Sequence, residues 1–134
     1  MKRVKHHELV KIEDYEAYLG SQTVERILKK AKSLQGCHIT NVNSTYYGGG
    51  VATLLSSFTI LMNSLGIKTG WRVIQGQPDF FGITKKMHNA LQGGNINLTP
   101  RKKQIYEEVI YENSIRNHFE NHDAVIIHDP QPLP

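Results

Sequence analysis

The stretch from Cys37 to Leu55, CHITNVNSTYYGGGVATLL, decides the fold. Its first seven residues, 37–43, are typical of a β-strand in which Ile39 and Val42 are the apolar anchors. A polar turn with three glycines follows, a composition that neither a strand nor a helix favours. Directly after the glycines, apolar residues recur at helical spacing; they are Val51, Leu54, Leu55, Phe58, Leu61, Met62 and Leu65. The stretch therefore predicts a strand, a tight turn and a helix.

The rest of the chain continues this alternation. The predicted elements are, in order, a helix capped by Ser21, the strand 37–43, the helix after the glycines, a strand over 67–74, a helix over 80–91 capped by Asp79, a helix that begins at Thr99-Pro100, and a buried-type strand over 124–127. Strands that alternate with helices predict an α/β fold, here a Rossmann-like, doubly wound parallel sheet with helices on both faces. We expect residues 1–20 to be an N-terminal extension and residues 21–134 to be part of one such domain.

The order of the strands predicts where a ligand binds. Right-handed crossovers place strand 67–74 on one side of strand 37–43 and strand 124–127 on its other side. The topological reversal then lies between the first and last strands, and ligands bind beyond the carboxyl ends of the strands at such a point. Two unusual segments, 43–50 and 128–131, follow these two strands. We therefore expect them to line one crevice.

Composition and charge exclude several classes of protein. The chain has 134 residues, of which 39% are hydrophobic, so it can build a core and is too apolar for a disordered segment. A net charge of +4 without a clustered basic face argues against a nucleic-acid partner. The single cysteine, Cys37, excludes a disulfide framework or a cysteine-based zinc site. The pair His6-His7 is only a weak metal signal, and we predict no metal site.

The hydropathy of the chain also bears on its location. None of its apolar stretches is long enough to span a bilayer, and no apolar signal-peptide segment follows Met1. We therefore expect no membrane partner and a cytoplasmic location.

The three glycines at the strand-to-helix turn allow a ligand to approach the backbone closely. The helix that follows directs free N–H groups and the positive end of its dipole into the crevice, which suits a phosphate or a sugar oxygen. Gly48-Gly49-Gly50 matches neither the dinucleotide fingerprint G-x-G-x-x-G nor a P-loop. A tight turn that requires positive φ explains the glycines equally well.

His128-Asp129 ends the last predicted strand. Aspartate accepts hydrogen bonds from sugar hydroxyls, and histidine donates or accepts them. The alternative is that Asp129 only begins a turn ahead of Pro130. The sequence contains no zinc motif H-E-x-x-H, no nucleophile elbow and no clear pair of carboxylates of the glycosidase kind.

Three blocks of the sequence resemble the trehalose glycosyltransferring synthases. Residues 43–52 are similar to the stretch N-S-T-x-x-G-G-G-V-A of that family, residues 80–93 to F-F-x-x-T-K-x-x-H-N-A-L-Q-G, and residues 128–132 to H-D-P-Q-P. The blocks occur in the family's order. Thr53 stands where an acidic residue is common, and Met87 where an aromatic residue is common.

This resemblance implies a retaining glycosyltransferase of the GT-B type, in which two Rossmann-like domains face a cleft. Its members transfer glucose from a nucleoside-diphosphate glucose to free glucose and form α,α-trehalose, without a metal or organic cofactor. The partners implied are glucose and the nucleotide sugar. Carried over by motif, His128 and Asp129 are the catalytic pair, Gly48, Gly49 and Gly50 bind the donor phosphates and sugar, and His88, Asn89, Gln92 and Gln131 bind the acceptor sugar.

Family members are much longer than this chain. The resemblance therefore implies an N-terminal, acceptor-side half-domain that lacks the donor-binding C-terminal domain and is not catalytic alone. An uncovered last strand would promote self-association, so we expect a homo-oligomer. Two alternatives remain open: the same scaffold in a retaining trehalose phosphorylase, and a non-catalytic fragment that binds a sugar or a protein.

Overall fold

A computed structural model describes residues 11–45 and 47–133. The elements are a 3-10 turn at Ile12–Tyr15, α1 Glu16–Leu19, α2 Ser21–Lys32, β1 His38–Asn43, α3 Gly49–Ser64, β2 Lys68–Val73, α4 Pro78–Leu91, α5 Pro100–Asn117, a 3-10 turn at Phe119–Asn121, and β3 Ala124–Ile127. The histidine pair at positions 6 and 7 lies outside the described residues, as does Tyr46 of the glycine turn.

The three strands form one parallel sheet in the order β2-β1-β3. Asn41 of β1 pairs in register with Trp71 of β2 on one side and with Ile126 of β3 on the other. This is the predicted α/β arrangement, in which the second strand and the last strand flank the first. The topological reversal therefore lies between β1 and β3.

The helices begin where local chemistry supports them, and two predicted caps are wrong. Thr99 caps α5 as expected, because its Oγ1 accepts a hydrogen bond from the backbone N–H of Lys102 at 3.4 Å. Ser21 is already inside α2, whose N-cap is Gly20. Asp79 is the second residue of α4, because Pro78, with its fixed φ, occupies the first helical position.

The core lies between the sheet and the pair α4 and α5. Its central members, Val42, Ile74, Phe80 and Ile110, are all at least nine-tenths buried. Phe80 is completely buried and stacks on Tyr106 with ring centroids 6.0 Å apart. The crossover from β1 to β2 and the crossover from β2 to β3 run in opposite directions across the sheet, so right-handed connections place α3 on the face opposite α4 and α5. This gives helices on both faces, as predicted.

The prediction of a buried last strand is wrong. All four residues of β3 are exposed, with Ile126 and Ile127 each at 40% of their full exposure. The strand pairs with β1 only, and no other described strand pairs with its outer edge. An apolar run indicates burial, but whether a strand is covered depends on what packs beside it. The expectation of an open edge is confirmed.

No helix among residues 11–45 and 47–133 is long and apolar enough to cross a membrane. The same residues contain no group of three or more histidine, cysteine or acidic side chains that could hold a metal ion. Cys37 is half-buried and not in a disulfide.

Candidate functional site

The carboxyl ends of β1 and β3 bring the two unusual segments to the same edge of the sheet. The backbone N–H of His128 donates to the carbonyl of Val42 at 2.9 Å, which extends the ladder between β3 and β1 by one residue. Because β1 ends at Asn43, the turn that leads to the glycines leaves the sheet beside this contact. The sequence predicts that segments 43–50 and 128–131 lie at one edge of the sheet, and the strand pairing agrees with this prediction.

The imidazole of His128 is held by a residue from the interior of β1. Its Nε2 lies 2.9 Å from Oδ1 of Asn41, a side chain with no solvent exposure. The Nδ2 of Asn41 donates to the carbonyl of Gly70 in β2 at 3.3 Å. The asparagine thus links β1 to β2 and to the residue that follows β3. The sequence analysis missed it, although two asparagines spaced two residues apart in a strand, Asn41 and Asn43, were a visible signal.

A second asparagine of β1 organises the start of the glycine turn. Asn43, 1% exposed, donates through Nδ2 to the carbonyl of Thr45 at 2.7 Å. Its Oδ1 accepts a hydrogen bond from the indole N–H of Trp71 at 2.8 Å. The alternation along the strand, Asn41 and then Asn43, places both amides on one face. Trp71 therefore supports the turn through its indole N–H.

The glycine turn uses backbone conformations that other residues avoid. Gly48 has φ +75° and ψ 151°, and Gly49 has φ +78°. A Cβ added at Gly48, Gly49 or Gly50 would meet nothing within 4 Å. The tight-turn interpretation is therefore correct for the first two glycines, and the open space also leaves room for a ligand.

The start of α3 lacks a capping side chain. Gly48 is its N-cap and offers no side-chain acceptor to the first N–H groups of the helix. Thr45 instead accepts from the backbone N–H of Tyr47 at 3.1 Å, which stabilises the turn before the helix. Uncapped N–H groups and the positive end of the helix dipole make this terminus suited to an anion.

The segment after His128 is a partly buried turn anchored to α5. Asp129 has φ +68°, a left-handed conformation that aspartate tolerates better than most residues. The hydroxyl of Tyr106 in α5 donates to the carbonyl of Pro130 at 3.5 Å. Burial raises the pKa of this phenol above its ordinary value. Asp129 therefore does begin a turn, while its carboxylate stays exposed to solvent.

The remaining predicted site residues form a separate group at the end of α4. The Nε2 atoms of His88 and Gln92 lie 3.1 Å apart, one helical turn from each other. Asn89 and Gln92 are exposed, and His88 is half-buried. Among the hydrogen bonds of the described residues, none joins this group to His128 or to the glycine turn. Gln131, in contrast, is half-buried and lies three residues after His128.

The chain is similar to a family of trehalose synthase domains, and to individual trehalose synthases and trehalose phosphorylases. Residues 41–134 match a family model described as "Trehalose synthase, N-terminal domain". The chain is 45% identical over 123 residues to a trehalose synthase of Pyrococcus horikoshii, an overlap of 91% of this chain and 30% of that protein. It is 34% identical over 121 residues to a trehalose synthase of Rubrobacter xylanophilus, 89% of this chain and 29% of that protein. It is also 30% identical over 139 residues to a trehalose phosphorylase of Pleurotus pulmonarius, 95% of this chain and 19% of that protein. The chain thus spans less than a third of the length of these relatives.

Proposed function

The chain belongs to the trehalose synthase N-terminal domain family, and from this premise we propose that it is the acceptor-side part of a retaining GT-B glycosyltransferase. The complete enzyme transfers glucose from a nucleoside-diphosphate glucose to glucose and forms α,α-trehalose. The proposal includes glucose and the nucleotide sugar as ligands, without a metal or organic cofactor. It also places the protein in the cytoplasm, as a homo-oligomer. Because the chain covers 30% of the Pyrococcus horikoshii relative, we propose that donor binding needs a further part of the enzyme and that these 134 residues alone are inactive.

The contact between His128 and Asn41 is the observation that carries the proposal. A sugar is recognised through hydroxyls, which require donors and acceptors held in fixed directions. The imidazole of His128 is fixed at 2.9 Å from a fully buried amide, at the edge of the sheet where ligands of such folds bind. His128 and the neighbouring carboxylate of Asp129 then orient hydroxyls of the reacting glucose.

The glycine turn supplies the other half of the proposed chemistry. Negative charge develops on the leaving diphosphate as its bond to glucose breaks. The uncapped N–H groups of Gly49 and Gly50 offer donors to that charge, while Gly48 sets the turn. Preorganised donors of this kind contribute about 3–4 kcal/mol each to transition-state stabilisation.

The acceptor glucose is assigned to His88, Asn89, Gln92 and Gln131. Imidazole and amide groups both donate and accept, which suits a ring of hydroxyls. The pairing of His88 with Gln92 and the position of Gln131 beside the catalytic pair support this assignment.

The proposed transfer uses no carboxylate as a nucleophile. As the bond between C1 of the donor glucose and the phosphate oxygen breaks, the acceptor hydroxyl oxygen bonds to C1 from the same face and its proton passes to the leaving phosphate oxygen, so the configuration is retained. Closure of the second domain over the site excludes water and favours transfer over hydrolysis.

A trehalose phosphorylase is the second candidate, because the chain is 30% identical to such an enzyme over 139 residues. In that reaction phosphate replaces the nucleoside diphosphate as the leaving group. The same N–H groups of the glycine turn serve either anion, so the turn does not discriminate between the two candidates.

The test uses a chimaeric enzyme. The chain replaces the 123-residue segment of the Pyrococcus horikoshii trehalose synthase to which it aligns. Radiolabelled glucose is offered with UDP-glucose or ADP-glucose, and separately with glucose 1-phosphate. We expect labelled trehalose with a nucleotide sugar. Trehalose from glucose 1-phosphate alone would support the phosphorylase instead.

Two controls complete this experiment. A folded chimaera without activity on any donor would refute both enzymatic candidates and favour a binding fragment, whereas turnover by the isolated chain would refute that third interpretation. Within an active chimaera, we expect His128→Gln to lower the rate of glucose transfer at least about tenfold, which corresponds to the loss of one hydrogen bond. His118→Gln, at an exposed histidine outside the proposed site, should leave transfer unchanged.

A further inference from the structure

Asn41 is a polar residue in the buried central strand, and its side chain contacts the proposed site residue His128. It is a fully buried polar residue in the central strand, 87 residues away in sequence from the histidine that it contacts. Its Oδ1 faces Nε2 of His128, while its Nδ2 donates to the carbonyl of Gly70. An amide oxygen only accepts, and therefore Nε2 of His128 carries the hydrogen.

The sheet register explains why this contact is specific. Asn41 pairs with Ile126, so His128, two residues later, lies level with Asn43 on the same face of the sheet. Asn43 makes other contacts: its Oδ1 accepts from the indole N–H of Trp71 and its Nδ2 donates to the carbonyl of Thr45. Asn41 is thus the side chain of β1 that sets the direction of the imidazole.

We propose that Asn41 is a positioning residue, which holds His128 with Nε2–H bonded inward and leaves Nδ1 as the atom that accepts a hydrogen bond from a sugar hydroxyl. This inference rests on the proposed function for the identity of the sugar. The arrangement resembles the way in which a partner on one ring nitrogen determines the role of the other in many histidine sites. Asn41 itself touches neither substrate nor reacting atoms.

The first test is made on this chain by NMR, with long-range ¹H–¹⁵N correlation of the histidine rings. In the original chain we expect a visible Nε2–H resonance for His128, because the hydrogen bond protects that proton from exchange. Asn41→Leu keeps the branched shape at Cγ and removes the acceptor. We expect about tenfold faster exchange of the Nε2 proton in that variant, the effect of losing one such bond. An unchanged resonance would overturn the proposal.

Two aspartate variants test the same contact without the leucine substitution. Asn41→Asp keeps an acceptor oxygen beside His128, whereas Asn43→Asp introduces the same carboxylate in the same strand without this contact. We expect Asn41→Asp to slow exchange of the His128 Nε2 proton and Asn43→Asp to leave it unchanged. Equal effects of the two substitutions would contradict the positioning role even if Asn41→Leu does not fold.

The second test measures function and separates the two proposals. Trehalose is titrated into the chain while the ring carbon-bound protons of His128 are followed. We expect shifts in the original chain and in Asn41→Asp, and shifts at least about tenfold weaker at equal trehalose in Asn41→Leu. The control is Asn113→Leu, because Asn113 is also a buried asparagine but contacts Gln75 and not His128.

The outcomes of these tests are distinguishable. Loss of Nε2–H protection in Asn41→Leu without any response to trehalose in the original chain would refute the sugar-binding function and the role of Asn41 in it, while the ring contact itself stands. A trehalose response that persists fully in Asn41→Leu would refute only the positioning role. A response that weakens equally in Asn113→Leu would show a loss of folding rather than of positioning.

Discussion

Replacement by alanine is predicted to lower the free energy of unfolding at Gly48, the N-cap of α3, and to raise it at Gly50, inside the first turn of that helix. Gly48 has φ +75° and ψ 151°, whereas Gly50 is the second residue of the helix and does not have a left-handed φ. A Cβ at either position would meet nothing within 4 Å. Alanine at these sites therefore tests backbone conformation without a steric clash.

The magnitudes follow from the two conformations. The region occupied by Gly48 is nearly restricted to glycine, so Gly48→Ala costs about 1–3 kcal/mol of unfolding free energy. Gly50→Ala removes conformational freedom from the unfolded chain at a position that is compatible with alanine, and stabilises by about 0.4–1 kcal/mol. For a domain of this size the first substitution lowers Tm by roughly 3–12 °C, and the second raises it by roughly 1–4 °C.

Urea unfolding followed by far-UV circular dichroism measures both free energies. Destabilisation by Gly50→Ala equal to that by Gly48→Ala would refute the assignment of strain to Gly48. In the chimaeric enzyme, Gly50→Ala has a further use, because it places a methyl group beside the proposed phosphate without straining the turn. We expect reduced transfer in this stable variant, and unchanged transfer would count against a phosphate at Gly50.

Three other properties of the chain are open to direct measurement. Phe80→Ala removes the completely buried ring of the core and should cost about 3–5 kcal/mol in urea unfolding, with Leu91→Ala at an exposed site as the control. The exposed edge strand should cause self-association, so Val125→Lys is expected to shift sedimentation towards the monomer; a monomeric original chain would contradict this. Burial raises the pKa of Tyr106, and its contribution to stability is therefore complete below the unfolded pKa of 10.0 and is lost as pH rises through the higher folded pKa. Tyr106→Phe should reduce the fall of Tm with rising pH between about 9 and 11, which is the range in which a tyrosine titrates.

Local patterns were sufficient for the elements and for the edge of the sheet that carries the site. Apolar periodicity identified the helix after the glycines, and Thr99-Pro100 marked the start of α5, because both depend on residues a few positions apart. The errors at Ser21 and Asp79 are of one or two residues. Gly20, with positive φ, both ends α1 and caps α2, and Pro78 occupies the first position of α4.

The candidate site was predictable only in part. The glycine turn and His128 were visible as polar segments after strands, but Asn41 and Asn43 were not recognised as their supports. Both are polar residues inside a strand, and such residues are as consistent with a half-exposed strand as with a buried network. Their partners, His128 and Trp71, are distant in sequence, so only the strand register identifies them.

The sequence by itself determined the succession of strands and helices and the strand order β2-β1-β3, because side-chain periodicity and the handedness of crossovers are local or nearly local constraints. Only the tertiary structure decided that Asn41 holds His128 and that the apolar strand β3 is exposed. The first depends on the register between β1 and β3, and the second depends on what packs against the outer edge of β3. Hydrogen bonds between distant residues and the covering of an edge arise from packing, which no short stretch of sequence encodes.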